Sequence, residues 1–352
     1  MKSIKLGNKI ISEGSKPYII AEIGVNHECS IIQAKKLILK AKKSGADAAK
    51  FQTYKAELIT SKNSPSYWDI KKEKTKSQFK LFKKYDHFTK NHYHILYEYC
   101  KKVGIDFAST PFDHDAVDML DSYVTYFKIS SSDITNYPLL KKIASKNKPI
   151  LLSTGASSII EIKNAIKILK KNKCNNIIIM HCILNYPTKD KDANLEMISD
   201  LKEKFSEYII GYSDHTLPCK NMKNLITAYI LGAKVIEKHF TLNKKKKGND
   251  HYHSMDEKDL KNLNDNIKHT HSILGVKKKH CLNSELKSKK FARRSLVLNR
   301  DVRKNSIIKS KYIICKRPGT GISPVELSKA IGRKVIKNLK EDHILRWSDF
   351  KK

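Results

Sequence analysis

From residue 18 to about residue 275, short apolar runs alternate with amphipathic segments, eight times over. The runs 18–24, 48–54, 106–110, 126–129, 149–154, 176–182, 208–213 and 234–240 have the length and β-branched content of buried strands. Between them, apolar residues recur at helical spacing. Ile31, Ala34, Leu37, Ile38 and Ala41 begin the series, and 92–103, 114–122, 137–146, 158–171, 194–204, 220–231 and 256–274 continue it. Strict alternation implies parallel pairing through crossover helices. Eight units over roughly 250 residues is the size of a closed (β/α)₈ TIM barrel. An open doubly wound sheet is the other α/β arrangement. It is disfavoured because no Gly-rich dinucleotide fingerprint follows the first strand.

The pattern divides the chain into a barrel (1–275), a lysine-rich linker (276–290) and a short-stranded, Gly- and Pro-punctuated tail (291–352). That tail predicts a small, mostly β module. A polar insertion, 56–90, after the second strand predicts a lid or rim loop. The 70 Lys and Arg against 35 Asp and Glu make a net charge of +35, so a nucleic-acid ligand must be weighed. The lysines spread over the whole chain, including helix faces such as that of Lys35, Lys36, Lys40, Lys42 and Lys43, and form only short runs, Lys244–Lys247 and Lys277–Lys279. A solvated surface is therefore the better reading than a nucleic-acid patch. No run reaches membrane-spanning length and the N-terminus lacks a signal-like apolar stretch. Seven cysteines without a CxxC pair read as reduced thiols in a cytoplasmic protein.

In such a barrel the reactive end lies at the C-terminal tips of the strands. Here nearly every tip is polar: Glu22, Lys50 and Gln52, Thr110, Lys128 and Ser131, Ser153, His181 and Tyr186, Ser213 and His215, Glu237 and His239. Alternation puts Glu237 and His239 on one face and Lys238 on the other. Lys50 and Lys128 with Thr110, Ser131, Ser153 and Ser213 suit a ligand carrying phosphate and carboxylate. His215 and His239 suit a divalent transition metal with open positions. Glu22, Glu237 and Asp250 suit acid, base or hydroxyl-binding roles. His181 and Cys182 read as core residues; Asp250-His251-Tyr252-His253 could form a metal cluster, but following the Lys244–Lys247 run in a loop it reads as a substrate-facing rim with Asp250 its contact. A lysine in a barrel mouth also permits a Schiff-base pyruvate aldolase using Lys50 or Lys128.

The segments Ala21-Glu22-Ile23-Gly24, Lys50-Phe51-Gln52-Thr53, Ser109-Thr110-Pro111-Phe112-Asp113, Tyr186-Pro187-Thr188, Tyr212-Ser213-Asp214-His215-Thr216, Glu237-Lys238-His239-Phe240 and Asp250-His251 resemble the sialic acid synthase family. Arg293-Arg294-Ser295 and Arg317-Pro318-Gly319-Thr320-Gly321 resemble its C-terminal antifreeze-like (SAF) domain. The resemblance implies condensation of phosphoenolpyruvate with an N-acetylmannosamine-like amino sugar, releasing phosphate. It assigns the enolpyruvyl ligand to Lys50, Thr110, Lys128, Ser131, Ser153 and Ser213. It assigns Mn²⁺, with Mg²⁺ or Co²⁺ as alternatives, to His215 and His239. The amino sugar would meet Gln52, Tyr186 and Asp250. A domain-swapped homodimer would bring Arg317 of the antifreeze-like domain to the sugar's acyl group.

Overall fold

A computed structural model describes residues 2–248 and 250–351. The chain forms two compact units, Met1–Gly275 and Val276–Lys352. In the first, eight strands form one sheet: β1 (Tyr18–Gly24), β2 (Ala48–Thr53), β3 (Asp106–Pro111), β4 (Phe127–Ile129), β5 (Ile150–Ser153), β6 (Ile177–Cys182), β7 (Ile209–Asp214) and β8 (Val235–His239). The ladders are parallel and run β3-β2-β1-β8-β7-β6-β5-β4. β3 and β4 lie side by side, so the sheet is a nearly closed barrel. The principal helices are α1 (Ile31–Lys43), α2 (Lys90–Val103), α3 (His114–Leu120), α4 (Tyr137–Ala144), α5 (Ile159–Lys171), α6 (Met197–Lys204), α7 (Lys223–Leu231) and α8 (Glu257–Leu274).

The two-residue period of each strand sorts its side chains between two cores. Ile19, Ala21, Ile23, Phe51, Phe107, Ile179, Ile210 and Ile236 face the helices, against Leu37, Leu96, Leu140, Leu169 and Leu263. Tyr18, Ile20, Ala48, Ala108, Leu151, Ile178, Met180, Ile209 and Val235 fill the lower barrel interior. Continuing the inward parity upward gives Glu22, Lys50, Thr110, Lys128, Ser153, Ser213, Glu237 and His239. The apolar lower layer therefore becomes polar within one step of each strand. Gly211 belongs to this interior. A Cβ there would stand 2.3 Å from Met180 Sδ and 2.8 Å from the Val235 carbonyl, so no side chain fits.

An N-terminal hairpin, Ser3–Leu6 paired with Lys9–Ser12, is absent from the sequence reading above. Leu6 and Ile11 join the interior cluster with Tyr18, Tyr126 and Val235, and so plug the bottom of the barrel. The signal was present: Gly7-Asn8 separates two short runs and forms the turn. The expected helix 220–231 begins only at Lys223, because Asn221 and Met222 take left-handed backbone and break it from the turn Lys220–Met222. The 56–90 insertion holds short helices, Ala56–Ile59 and Gln78–Lys83, and is pinned by buried Trp68. The Trp68 indole donates to the carbonyls of Glu73 and Thr75.

In the second unit, β9 (Ser295–Leu298) pairs antiparallel with β10 (Ile313–Lys316). Leu296, Leu298, Val302, Ile308, Val335, Leu345 and Phe350 form its core. The segment read as a linker carries a helix, Leu286–Ala292.

Lys238 points outward from the barrel and is 1% exposed. Its ammonium lies 2.6 Å from Asp214 Oδ2, opposite it on β7, and donates to the Thr216 carbonyl at 2.7 Å. Tyr212 and the Thr216 amide donate to the other Asp214 oxygen, each at 2.9 Å. Burial alone would raise the Asp214 pKa. Lys238 and these donors outweigh it and hold the carboxyl below its usual value. The pair thus stabilises the fold above about pH 4 and loses that contribution as pH falls through the folded value. Lys238→Met leaves a buried carboxylate without its partner. It should lower unfolding free energy at pH 7 by about 3–5 kcal/mol in denaturant titrations. Adding Asp214→Leu should restore much of that loss and flatten the acid limb of the stability curve.

Candidate active site

At the centre of the barrel mouth four buried ionisable side chains alternate in sign. Lys50 Nζ stands 2.7 Å from Glu22 Oε2 and 3.5 Å from Glu237 Oε1. Lys128 donates to the same Glu237 oxygen at 2.7 Å. Register brings them together: Glu22 pairs with Lys50 across β1 and β2, and Glu237 with Ser213 across β8 and β7. Ser213 donates to Glu237 Oε1 at 3.2 Å, and the Gln52 amide donates to Glu22 Oε1 at 3.0 Å.

The two carboxyls are driven apart electrically. Burial, with Glu237 nearby, raises the Glu22 pKa even though Lys50 opposes it. Glu237 is equally buried, but Lys128 and Lys50 together hold it down at about 2. Burial would depress the Lys50 ammonium, yet Glu22 and Glu237 more than offset this and raise its pKa. One protonatable carboxyl, one carboxylate and two cationic lysines leave the mouth biased towards an anionic ligand.

Hydroxyls surround the lysines. Thr110 accepts from Lys50 at 2.9 Å, and Ser131 accepts from the Gly155 amide at 2.9 Å. Ser153 Oγ is buried and has no protein partner among the described residues. A buried hydroxyl left unpaired at a strand tip is a directed donor awaiting a ligand.

The opposite edge of the mouth is a histidine cluster. His215 Nδ1 lies 2.8 Å from the Ile183 carbonyl, which can only accept, so Nδ1 carries a proton and Nε2 is the nitrogen left for a ligand. His215 and His239 ring centres are 5.6 Å apart. His239 Nδ1 has no hydrogen-bond partner among the described residues and stands 3.5 Å from Asp250 Oδ2. Burial and the neighbouring His253, His215 and lysines push His239 well below its ordinary pKa, so the imidazole is neutral. Burial and Glu22 raise Asp250 to about 7. Lone pairs on neutral imidazoles beside a carboxyl group are a donor set that fits a divalent metal. One donor atom each from His239, Asp250 and His253 lie within 4.8 Å of one another. The Tyr186 ring packs on His215, with centres 4.1 Å apart, and Tyr67 from the insertion approaches Tyr186 at 6.5 Å.

The barrel residues singled out from sequence thus meet at one mouth. His181 faces outward, its Nε2 at 3.0 Å from the Ala193 carbonyl and its ring stacked on Tyr212, as a core histidine does. Arg317 is an exposed residue of the second unit. The segment 250–253 is not a uniform rim. His251 engages Thr241 and Glu28 through its two nitrogens, whereas His253 is fully buried with both nitrogens unpartnered among the described residues. Linear order marked the segment as chemically loaded, but only the fold separates the two histidines. Lys244 of the lysine run is taken up by Asp256 and Asp259 at 3.0 and 2.6 Å.

A family model described as "NeuB family" matches residues 37–279, and a SAF domain model matches 293–351. The chain belongs to the NeuB family. It is 40% identical over 336 residues to an N,N'-diacetyllegionaminic acid synthase of Campylobacter jejuni, covering 94% of this chain and 99% of that one. An enzyme of the same name from Legionella pneumophila is 38% identical over 337 residues, covering 94% and 93%. The crystal structure of an N-acetylneuraminic acid synthetase from Leptospira borgpetersenii superposes with a TM-score of 0.73 at 35% identity. It covers 82% of this chain and 95% of that one.

Two substitutions separate folding from function in this mouth. Ser153→Ala removes an unpaired buried hydroxyl and should change unfolding free energy by less than about 1 kcal/mol. Glu237→Ala leaves Lys50 and Lys128 facing each other without their carboxylate and should destabilise by about 3–5 kcal/mol. Calorimetric or denaturant unfolding of both variants checks the contrast.

Proposed function

We propose that this chain is a nonulosonic acid synthase, a transferase that joins phosphoenolpyruvate to an N-acetylmannosamine-like amino sugar with water and releases phosphate. The observation that carries the reading is the alternating set Glu22, Lys50, Glu237 and Lys128 beside neutral histidines, at the mouth of a NeuB-family barrel. The names of its relatives support the product class.

Lys50 and Lys128 offset the charge of the phosphate and carboxylate, with Thr110, Ser131, Ser153 and Ser213 as directed partners. Gln52, Tyr186 and Asp250 contact the amino sugar. A divalent ion at His215 and His239, Mn²⁺ first with Mg²⁺ or Co²⁺ as alternatives, would supply Lewis-acid polarisation of the sugar's aldehyde oxygen. The methylene carbon (C3) of phosphoenolpyruvate bonds to the aldehyde carbon, which leaves positive charge on C2. Water adds to C2, and the bond from C2 to the phosphate oxygen breaks. Glu22, whose pKa is raised, is placed to hold and deliver a proton. Glu237, ionised beside two ammoniums, steadies the positive charge that develops.

The Schiff-base alternative needs Lys50 or Lys128 as a free amine. The raised pKa of Lys50 opposes this for that residue. Residues 291–352 form the antifreeze-like unit in this reading, joined through 276–290. In a domain-swapped homodimer its Arg317 reaches the partner's sugar. All seven cysteines are unpaired thiols, which supports a cytoplasmic setting, and among the described residues no helix is long and apolar enough to cross a membrane.

In H₂¹⁸O the label should enter the sugar acid and be absent from released phosphate; label in phosphate would mean P–O cleavage and overturn the mechanism. Phosphate release measured against N-acetylmannosamine, its 6-phosphate and diacetamido-trideoxyhexoses identifies the acceptor. Lys128→Ala should lower kcat/KM for phosphoenolpyruvate by about 100-fold or more. Borohydride trapping with pyruvate should leave the protein unmodified. If the dimer is domain-swapped, mixing inactive Lys50→Ala and Arg317→Ala chains should restore partial activity, because the mixed dimer holds one intact site.

A further inference from the structure

His253 lies beside the mouth and takes no part in the proposed reaction. It is 0% exposed, and neither ring nitrogen has a hydrogen-bond partner among the described residues. Its ring centre lies 4.8 Å from that of His239 and 5.8 Å from that of Tyr186. A neutral imidazole has one N–H donor and one lone pair, and burying both unmatched is unfavourable unless something not made of protein completes them. His251, two residues earlier, shows the alternative: its nitrogens lie 2.8 Å from Thr241 and 3.3 Å from Glu28, and it needs no ligand.

We propose that His253 is a metal ligand, joining His239 and Asp250 in a nitrogen-rich site that holds a first-row transition ion in preference to Mg²⁺. This deepens the functional reading above and rests on it for the ion's catalytic use, though not for the binding itself. Donor atoms around such an ion, each at roughly 2.1 Å, stand roughly 3–4 Å apart. The donors of His239, Asp250 and His253 already lie within 4.8 Å of one another. His239 Nδ1, like both His253 nitrogens, is unpartnered among the described residues, so no protein hydrogen bond has to be broken to free these donors. Imidazole nitrogens favour Co²⁺, Ni²⁺ and Zn²⁺ over Mg²⁺, which prefers oxygen and water. The Asp250 carboxylate allows Mn²⁺ as well. Linear order marks the 250–253 segment as able to bind metal, but only the folded chain brings the His253 ring beside His239 at the tip of β8.

The test uses the full-length protein stripped with chelator and titrated with Co²⁺. It is read by visible absorption and by calorimetry, with Mg²⁺ as competitor. Wild type should bind one Co²⁺ that excess Mg²⁺ fails to displace. His253→Ala and His253→Gln, checked for folding by circular dichroism, should alter the Co²⁺ spectrum, weaken its binding about 10- to 100-fold and let Mg²⁺ compete. Unchanged Co²⁺ affinity and spectrum in His253→Gln would overturn the proposal, with a buried water left to satisfy the ring. His215→Ala and His239→Ala separate the two readings. If these lose Co²⁺ while His253 variants keep it, the two-histidine site stands and the inference fails. If all of them bind Co²⁺ like wild type, the metal reading of the function fails with it.

Discussion

Two lysines and two glutamates share the dry mouth of this barrel, and each has a neighbour of the opposite type within 3.5 Å. Isolated, any one of them would be strongly unfavourable there. Together they are tolerable only if strand register puts Glu22 beside Lys50 and Glu237 within reach of both lysines. A one-residue slip of any of these strands would turn its charge into the helix layer. The site therefore depends on the apolar lower barrel, where Tyr18, Ile20, Met180 and Val235 lock the strands, and on the hairpin that closes its base. Function and fold are coupled here through register.

The same arrangement sets the acid–base character. Glu22 and Glu237 are alike in sequence, and both are buried. They differ because Glu237 is bracketed by two lysines, whereas Glu22 has one and feels Glu237 as well. Two carboxyls with pKa values displaced in opposite directions are the arrangement a proton-moving site needs. On the helix side of the barrel wall, Lys238 and Asp214 repeat the pairing of unlike charges between β8 and β7. There the pair joins the strands instead of facing the mouth, so one tripeptide, Glu237-Lys238-His239, turns two side chains into the mouth and one into a buried ion pair.

Much of this was legible along the chain. Eight alternations of apolar run and amphipathic segment specify a parallel barrel because each strand must be covered by the helix that follows it. The two-residue strand period assigns Glu237 and His239 to the mouth and Lys238 to the helix side, as the coordinates have them. It also assigns His181 to the helix layer, where it stacks on Tyr212. Less visible were elements whose signal is short. The hairpin at Ser3–Ser12 offers only two four-residue strands around Gly7-Asn8, and the break at Asn221 and Met222 lies in backbone angles that those residue types do not dictate.

Sequence alone determined which side chains stand at strand tips, because position within a strand and parity are local properties. It determined that these tips hold cations, hydroxyls, carboxylates and imidazoles, and so the class of chemistry. Only the tertiary structure decided which charge neutralises which, because Lys128 and Glu237 are 109 residues apart and meet only through barrel closure. It also decided which histidine of the 250–253 segment is satisfied and which is not. His251 and His253 are both histidines in one short loop, and only the folded path of that loop sets one against Thr241 and Glu28 and the other against His239.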